Sequence, residues 1–390
     1  MKRIFVYLLL TGFISGCSFI ETTVEDFVAG GEDNADPPAP LTDIKQKVAV
    51  STLWSASVGG GSGKTFVRLT PRVSGGKIFS ADINGKVTAH DAASGSLIWS
   101  AEVKEPITGG PGVGEGLVLV GTSEAFVIAL DAASGTERWR KRVSSEVLAS
   151  PDAGDDRVVA RTVDGKVIGM DVATGRRLWV YDHKVPVLSL RGASSPVIDR
   201  GVAVVGFASG KMVAIRVKDG AVLWETRISI PRGRSDLARM VDIDSDPIVT
   251  DGVIHVATFQ GNVATVALEN GRVLWNRKMS SHAGMTIDKK NIYITDEESH
   301  VWALERRSGS SLWKQDKLHA RGVSAPAVYD DMVVVGDFEG YVHILDSRDG
   351  GFLARTKLSG GSVVAPPQKV GDIVYVTSAN GALTAIRPKK

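Results

Sequence analysis

The segment over residues 59–65, GGGSGKT, is the part of this sequence that comes nearest to a phosphate-binding loop. In a P-loop, four residues separate a first glycine from the Gly-Lys pair, and a helix follows. Val58 stands where that glycine is required, and the strand-like sequence FVRLTPRV comes next. We therefore predict a flexible connection here and no nucleotide chemistry.

Histidine and cysteine, which often bind metals or act in catalysis, show no functional pattern. Cys17 is the only cysteine and no Gly-x-Ser-x-Gly motif occurs, so nothing predicts nucleophilic catalysis. No two histidines have the spacing at which a helix or a hairpin presents a pair of metal ligands. The histidines are His90, His183, His255, His282, His300, His319 and His343. The sequence predicts no catalytic residue and no metal site.

The N-terminal residues have the composition of an export signal. Lys2 and Arg3 precede an apolar run over residues 4–10 that is too short to span a membrane. The sequence ISGC then ends at Cys17 and resembles a bacterial lipobox, in which the cysteine is lipidated and becomes the mature N-terminus. We predict a signal peptide over residues 1–16 and a lipid on Cys17, with an ordinary signal followed by a free cysteine as the alternative.

The residues after Cys17 predict a tether and a location. Ser18 stands where lipoproteins of the inner membrane typically carry aspartate, which indicates the outer membrane. Residues 17–44 are acidic, contain three closely spaced prolines and lack any regular apolar pattern. This composition predicts a flexible tether between the lipid and a folded domain that starts at Lys45.

Behind this tether the sequence repeats. A small residue, often glycine, precedes a tryptophan by fourteen positions, as in GKVTAHDAASGSLIW over residues 85–99. In the seventh copy Ala354 replaces the tryptophan. These positions follow one another at intervals of 40, 40, 45, 51, 38 and 41 residues, the length of a four-stranded propeller blade. Alternating apolar residues between glycine turns indicate hairpins and not helices.

An eighth copy is divided between the two ends of the chain. GALTAIR, residues 381–387, begins the unit without completing it, and Trp54 lies 45 residues before Trp99. We predict an all-β, eight-bladed β-propeller over residues 45–390, with four-stranded antiparallel blades and the N-terminal strand completing the last blade. An open solenoid is the alternative. The predicted blade-packing tryptophans are Trp54, Trp99, Trp139, Trp179, Trp224, Trp275 and Trp313.

The charge balance excludes one class of partner. The chain has 46 basic and 44 acidic residues, a formal net charge of +2. Such a balance creates no global field that would draw the protein onto nucleic acid or an anionic surface. We predict no nucleic-acid partner, so any partner has to be recognised through local shape.

Two loops differ most from the repeat. The intervals of 45 and 51 residues place extra residues ahead of Pro196 and Pro247. Arg191 and Asp242 each lie five residues before one of these prolines, which predicts equivalent places on the same rim of neighbouring blades.

The residues around Arg191 and Asp242 are candidates for binding a protein. Leu188 and Leu190 adjoin the arginine, and Asp244 accompanies Asp242. An apolar pair beside an arginine, facing an acidic pair, has the composition of a protein-binding hot spot. Composition leaves one alternative open, in which the leucines belong to a strand core and the charged residues pair across the loops.

The lipobox, the acidic tether, the tryptophan repeats and the motifs LSLRG and DIDSDP together resemble the BamB family, lipoproteins of the outer-membrane β-barrel assembly machinery. The resemblance covers nearly the whole chain. It implies a non-enzymatic scaffold without a cofactor, lipid-anchored in the outer membrane and facing the periplasm. It implies binding to the POTRA domains of BamA through Leu188, Leu190, Arg191, Asp242 and Asp244. Unfolded outer-membrane proteins would be a second kind of partner.

Two other functions compete with that scaffold. The repeat also resembles the unit of pyrroloquinoline-quinone dehydrogenases, but those enzymes are substantially longer and many carry adjacent cysteines at the cofactor, which this chain lacks. The shared unit is explained by blade packing alone. A sensor that binds a small ligand in the axial channel is the third hypothesis.

Overall fold

The computed structural model describes residues 36–63, 65, 67–186, 188, 194–232, 234–235 and 237–389. The predicted signal peptide, Cys17 and most of the predicted tether lie outside the described residues. One compact unit runs over Pro38–Lys390, so it begins seven residues before the predicted Lys45. Within the described part of the chain, no helix has the length and apolar character needed to cross a membrane.

Eight sheets of four antiparallel strands follow one another along the chain. Blade 1 comprises β2 (Arg72–Ser74), β3 (Lys77–Ala81), β4 (Lys86–Asp91) and β5 (Leu97–Glu102). Blade 2 comprises β6 (Ile107–Gly114), β7 (Leu117–Thr122), β8 (Phe126–Asp131) and β9 (Glu137–Arg142). Blade 3 comprises β10 (Asp152–Gly154), β11 (Arg157–Arg161), β12 (Lys166–Asp171) and β13 (Arg177–Asp182). Blade 4 comprises β14 (Val197–Asp199), β15 (Val202–Gly206), β16 (Lys211–Arg216) and β17 (Val222–Arg227).

The second half of the ring continues the same order after a short 3-10 helix, Leu237–Arg239. Blade 5 comprises β18 (Ile248–Thr250), β19 (Val253–Ala257), β20 (Asn262–Ala267) and β21 (Val273–Lys278). Blade 6 comprises β22 (Gly284–Ile287), β23 (Asn291–Thr295), β24 (Val301–Glu305) and β25 (Ser311–Gln315). Blade 7 comprises β26 (Ala327–Tyr329), β27 (Met332–Gly336), β28 (Tyr341–Asp346) and β29 (Phe352–Lys357). Blade 8 comprises β30 (Gln368–Val370), β31 (Ile373–Thr377), β32 (Ala382–Lys389) and β1 (Ala49–Ser57).

The N-terminal strand closes the ring. β1 is the outer strand of blade 8 and pairs antiparallel with β32, from Ala49 opposite Lys389 to Ser57 opposite Ala382. This pairing places the first strand of the chain beside the last, so the first and last blades share no open edge. The predicted fold, an all-β propeller of eight four-stranded blades closed by the N-terminal strand, is confirmed.

In the seven blades that have the repeat tryptophan, a β-bulge directs its side chain. In blade 1, His90 pairs with Leu97 and Ala89 pairs with Trp99, so Ile98 is the extra residue that turns the next side chain inward. The residue paired with the tryptophan on the neighbouring strand is small, as Ala89 is in blade 1. The tryptophan ring extends to the next blade.

In the next blade, a turn that contains glycine packs against that ring. In blade 2, Asp131 Oδ1 accepts the backbone N–H of Ser134 at 2.9 Å, and Gly135 adopts a φ of 75°. Trp99 Nε1 donates to the carbonyl of Ala132 at 3.2 Å. A Cβ on Gly135 would lie 2.6 Å from the ring of Trp99, so the close approach requires glycine.

Candidate partner-binding face

Two kinds of loop share one face of the ring. Because the four strands of a blade alternate in direction, the loop between its second and third strands and the loop that leads to the next blade lie on the same face. We call this the loop face. The two long loops, residues 183–196 ahead of β14 and residues 228–247 ahead of β18, both belong to it.

The two long loops expose apolar side chains. Leu188 is 43% exposed and Val185, in the same loop, is also exposed. In the second loop Ile230 is exposed and Leu237 is 61% exposed. Apolar residues at such exposure are available for a partner, and their presence in both loops marks this part of the loop face as a candidate binding surface.

The structure separates the five predicted contact residues. Leu190 and Arg191 lie outside the described residues, whereas Leu188 is exposed to solvent. Asp242 is fully buried, and Asp244 is partly buried beneath the loops. The acidic pair was predicted on the rim, but the structure places Asp242 in the interior because Ile243 between the two carboxylates enters the core of blades 4 and 5.

Arg161, at the end of β11, supplies the positive charge next to these carboxylates. Its side chain is buried, which lowers the pKa of Arg161 to about 10, and the nearby Asp244 and Asp242 oppose that shift. The guanidinium lies 5.2 Å from the ring centroid of Phe207, and Nη1 donates to the carbonyl of Ser194 at 3.4 Å. One arginine thus touches the base of the first loop and faces the acidic pair of the second.

Burial shifts the pKa of Asp244 upward, whereas it shifts that of Arg161 downward. Loss of solvent raises the pKa of Asp244, and the positive charges of Arg161 and Arg68 counteract this shift. Ile243 N–H donates to the carbonyl of Phe207 at 3.3 Å, which fixes the second loop to blade 4. The charged cluster therefore lies where both long loops join the blades.

Side chains from opposite blades meet at the axis of the ring. Arg72 of blade 1 pairs with Asp246 ahead of blade 5, with 3.4 Å between Nη2 and Oδ2. Arg68 reaches blade 6 and donates Nη1 to the carbonyl of His282 at 2.6 Å. A quinone in this fold would bind at the axis, where these side chains already bridge the ring.

The supporting residues have weak signals in the sequence. Arg161 ends the segment RVVAR, which has the pattern of an ordinary strand, and Phe207 follows a second strand of the same kind. Val185, Ile230 and Leu237 lie in the two long loops but carry no motif. Only the assembled ring shows that Arg161 faces the acidic pair.

The fold also joins two histidines that are far apart in sequence. No pair was predicted, because His300 and His319 belong to different loops. Their ring nitrogens, Nε2 of His300 and Nδ1 of His319, are 3.2 Å apart. Hairpin and helix spacing could not reveal a pair formed between two connections of a propeller.

Known proteins similar to this chain agree on one family. The family described as outer membrane protein assembly factor BamB matches residues 83–315. A BamB from Pseudomonas aeruginosa is 51% identical over 349 residues, covering 90% of this chain and 92% of the relative. The crystal structure of BamB from Moraxella catarrhalis has a TM-score of 0.79 and 26% identity, covering 87% of this chain and 100% of that one.

A dehydrogenase shares only the fold. A europium-containing methanol dehydrogenase has a TM-score of 0.71 but 13% identity, covering 87% of this chain and 93% of that one. At this identity the likeness concerns the eight-bladed ring and carries no activity to the chain.

Proposed function

This chain belongs to the BamB family of outer membrane protein assembly factors, and from that premise we propose that it is a non-enzymatic scaffold of the outer-membrane protein assembly complex. It binds the POTRA domains of BamA and assists the folding and insertion of β-barrel proteins. The observation that carries the proposal is the loop face, where two long loops expose apolar side chains over a buried charged cluster.

The exposed and the buried residues have different roles in this proposal. Leu188 contacts the partner directly, and Leu190 and Arg191 adjoin it in the same loop. Asp242 is fully buried and cannot reach a partner, and the partly buried Asp244 faces Arg161 and Arg68, so both carboxylates support the loops from within.

A single substitution tests the contact surface. Leu188→Glu places a charge in the interface and should weaken co-purification with BamA by about 30-fold or more, the effect of losing a hot-spot residue. Leu312→Glu is the matched control, because Leu312 is 54% exposed on the outer strand β25, away from the loop face. Both variants should unfold at the temperature of the parent protein. Equal recovery of BamA with both variants would remove Leu188 from the site.

We also propose that a lipid anchor attaches this protein to the outer membrane. We infer that Cys17 carries the lipid and that the propeller faces the periplasm, since the lipobox precedes the whole folded unit. Cys17→Ser should move the protein from the outer-membrane fraction into the soluble periplasmic fraction. Retention in the membrane fraction in the absence of BamA would mean that something other than the lipid holds it.

A further inference from the structure

A group of metal-binding side chains lies on the loop face at the junction of blades 6 and 7. Glu298 and His300 occupy the turn between β23 and β24, and His319 lies in the loop ahead of β26. One ligand atom from each of the three residues lies within 4.8 Å of the others. His300 is buried, His319 is half-buried and Glu298 is exposed, so the group opens to solvent on one side.

Asp296 fixes the orientation of His300. Its Oδ2 lies 3.0 Å from Nδ1 of His300, so Nδ1 carries the proton and Nε2 presents a lone pair toward His319. Asp296 also accepts the indole N–H of Trp302 at 2.8 Å and the backbone N–H of His300 at 2.8 Å. A carboxylate that holds the far nitrogen of an imidazole is the usual outer partner of a metal-bound histidine.

The separation of the two imidazoles suits a common metal ion. Two nitrogens at about 2.0–2.1 Å from a tetrahedral zinc ion lie about 3.3–3.4 Å apart. Nε2 of His300 and Nδ1 of His319 are 3.2 Å apart. The rings already have the spacing of two ligands on one ion. Glu298 Oε2 lies 3.2 Å from Nδ1 of His300, the nitrogen that Asp296 holds, so this exposed side chain has to turn toward Nε2 to become the third ligand.

We propose that Glu298, His300 and His319 bind a divalent transition metal of the zinc class, with water completing the coordination. The site links the turn of blade 6 to the loop that holds the N-terminal segment. The backbone carbonyl of His319 accepts the N–H of Ala39 at 3.0 Å, and Ala320 donates its N–H to the carbonyl of Glu298 at 3.0 Å. Bound metal therefore stabilises the place where the chain enters the propeller.

Calorimetric titration of the untagged, chelator-treated full chain with zinc chloride tests the proposal. We expect one ion per chain and a higher unfolding temperature in its presence. His319→Gln and Glu298→Gln should each weaken zinc binding, the histidine variant by about 100-fold or more, since even outer-partner losses cost about 10–100-fold. Glu297→Gln is the matched control, an exposed carboxylate one residue away, and should bind zinc as the parent does.

A second variant separates a metal site from a simple hydrogen bond between two imidazoles. Asp296→Asn should weaken zinc binding by about 10–100-fold. Cobalt should bind the parent chain with the intense visible absorption of a tetrahedral site, and this absorption should be lost in His319→Gln. Absence of zinc binding in the parent, or binding that His319→Gln leaves unchanged, would overturn the proposal and leave only the hydrogen bond.

Discussion

Seven blade junctions use the same contact, whereas the junction between blades 7 and 8 uses another. At each of the seven, an indole N–H donates to a carbonyl of the next blade, with distances from 2.8 to 3.2 Å. At the eighth, Ala354 stands in the tryptophan's place, and the opposite residue is Ile344 where the other blades have a smaller side chain. At this junction the larger side chain is on the third strand of the blade and the small one is on the fourth, the reverse of the other blades. Side chains therefore fill the volume between the blades in both arrangements.

The eighth junction differs because the chain enters there. Residues 39–47 lie along blade 7, and Lys47 N–H donates to the carbonyl of Leu353 at 2.7 Å. Arg321 and Arg355 donate to the carbonyls of Ala39 and Thr42 at 3.0 and 2.9 Å. The seven junctions thus share a repeated tryptophan contact, whereas specific polar contacts with the N-terminal segment hold the eighth.

These polar contacts continue into the interior as a chain of hydrogen bonds through Arg355, His343, Asp337 and Arg321, which we call the relay. Arg355 Nε donates to Nδ1 of His343 at 3.1 Å, and Nε2 of His343 donates to Asp337 at 3.0 Å. Asp337 also accepts from Arg321 Nε at 2.9 Å. The two arginines that hold the N-terminal segment are therefore fixed by one buried carboxylate.

The largest effect is expected at a tryptophan junction. Trp179→Ala should lower the free energy of unfolding by about 3–5 kcal/mol, because it removes a large buried ring and its hydrogen bond to Val217. Trp179→Phe keeps most of the ring and should cost about 1–3 kcal/mol, the effect of an unpaired buried carbonyl. Ala354→Gly, at the equivalent position of the eighth junction, should cost about 1 kcal/mol or less. Urea unfolding measures all three; equal losses for Trp179→Ala and Ala354→Gly would contradict the comparison.

The relay should give the next largest effect. Asp337→Asn removes the negative charge that contacts both Arg321 and His343, and we expect a loss of about 3 kcal/mol, since Arg321 keeps Glu339 as a partner. Hydrogen exchange at the Ala39 amide should become faster, which reports release of the N-terminal segment. Asp219→Asn is the control, because its pair with Arg216 is exposed and screened by solvent, so this variant should unfold nearly as the parent does.

Acid should weaken a tryptophan junction more than the eighth. Burial lowers the pKa of His255 to about 4, with a further lowering by Arg306, whose Nε donates to His255 Nε2 at 3.1 Å. The unfolded state then binds more protons below about pH 6.5, so the neutral histidine stabilises the fold above that pH and this contribution is lost as the pH falls toward 4. We expect about 2 kcal/mol of lost stability between pH 7 and pH 5 from this residue.

His343 provides the comparison for that pH dependence. Burial also lowers the pKa of His343, but Asp337 counteracts the shift, which makes protonation less costly. Unfolding measured across pH 5 to 7 should therefore become flatter in His255→Gln than in His343→Gln. A larger change in His343→Gln would show that the polar junction is the acid-sensitive one.

The sequence predicted the repeated part of this molecule and missed what depends on register. The spacing of tryptophans determines the blade period, so the ring and its closure could be predicted. The exchange of Ile344 and Ala354 becomes visible only when the two strands are aligned. Asp242 looks like a loop residue five positions before a proline, yet the neighbouring Ile243 draws it into the core. Contacts between loops of separate blades leave no local pattern.

The smallest effect is expected from a substitution that tests the contact between a turn glycine and the tryptophan ring of the preceding blade. Gly175 has a φ of 66°, and a Cβ there would lie 2.5 Å from the ring of Trp139. Gly116 has a φ of 73°, but a Cβ there would meet nothing within 4 Å. Both alanine variants incur the same left-handed strain, so the extra loss in Gly175→Ala, about 1–2 kcal/mol, measures the packing against the tryptophan. Equal losses in urea unfolding would mean that the ring moves aside freely, and the seven junctions would then be held by the hydrogen bond alone.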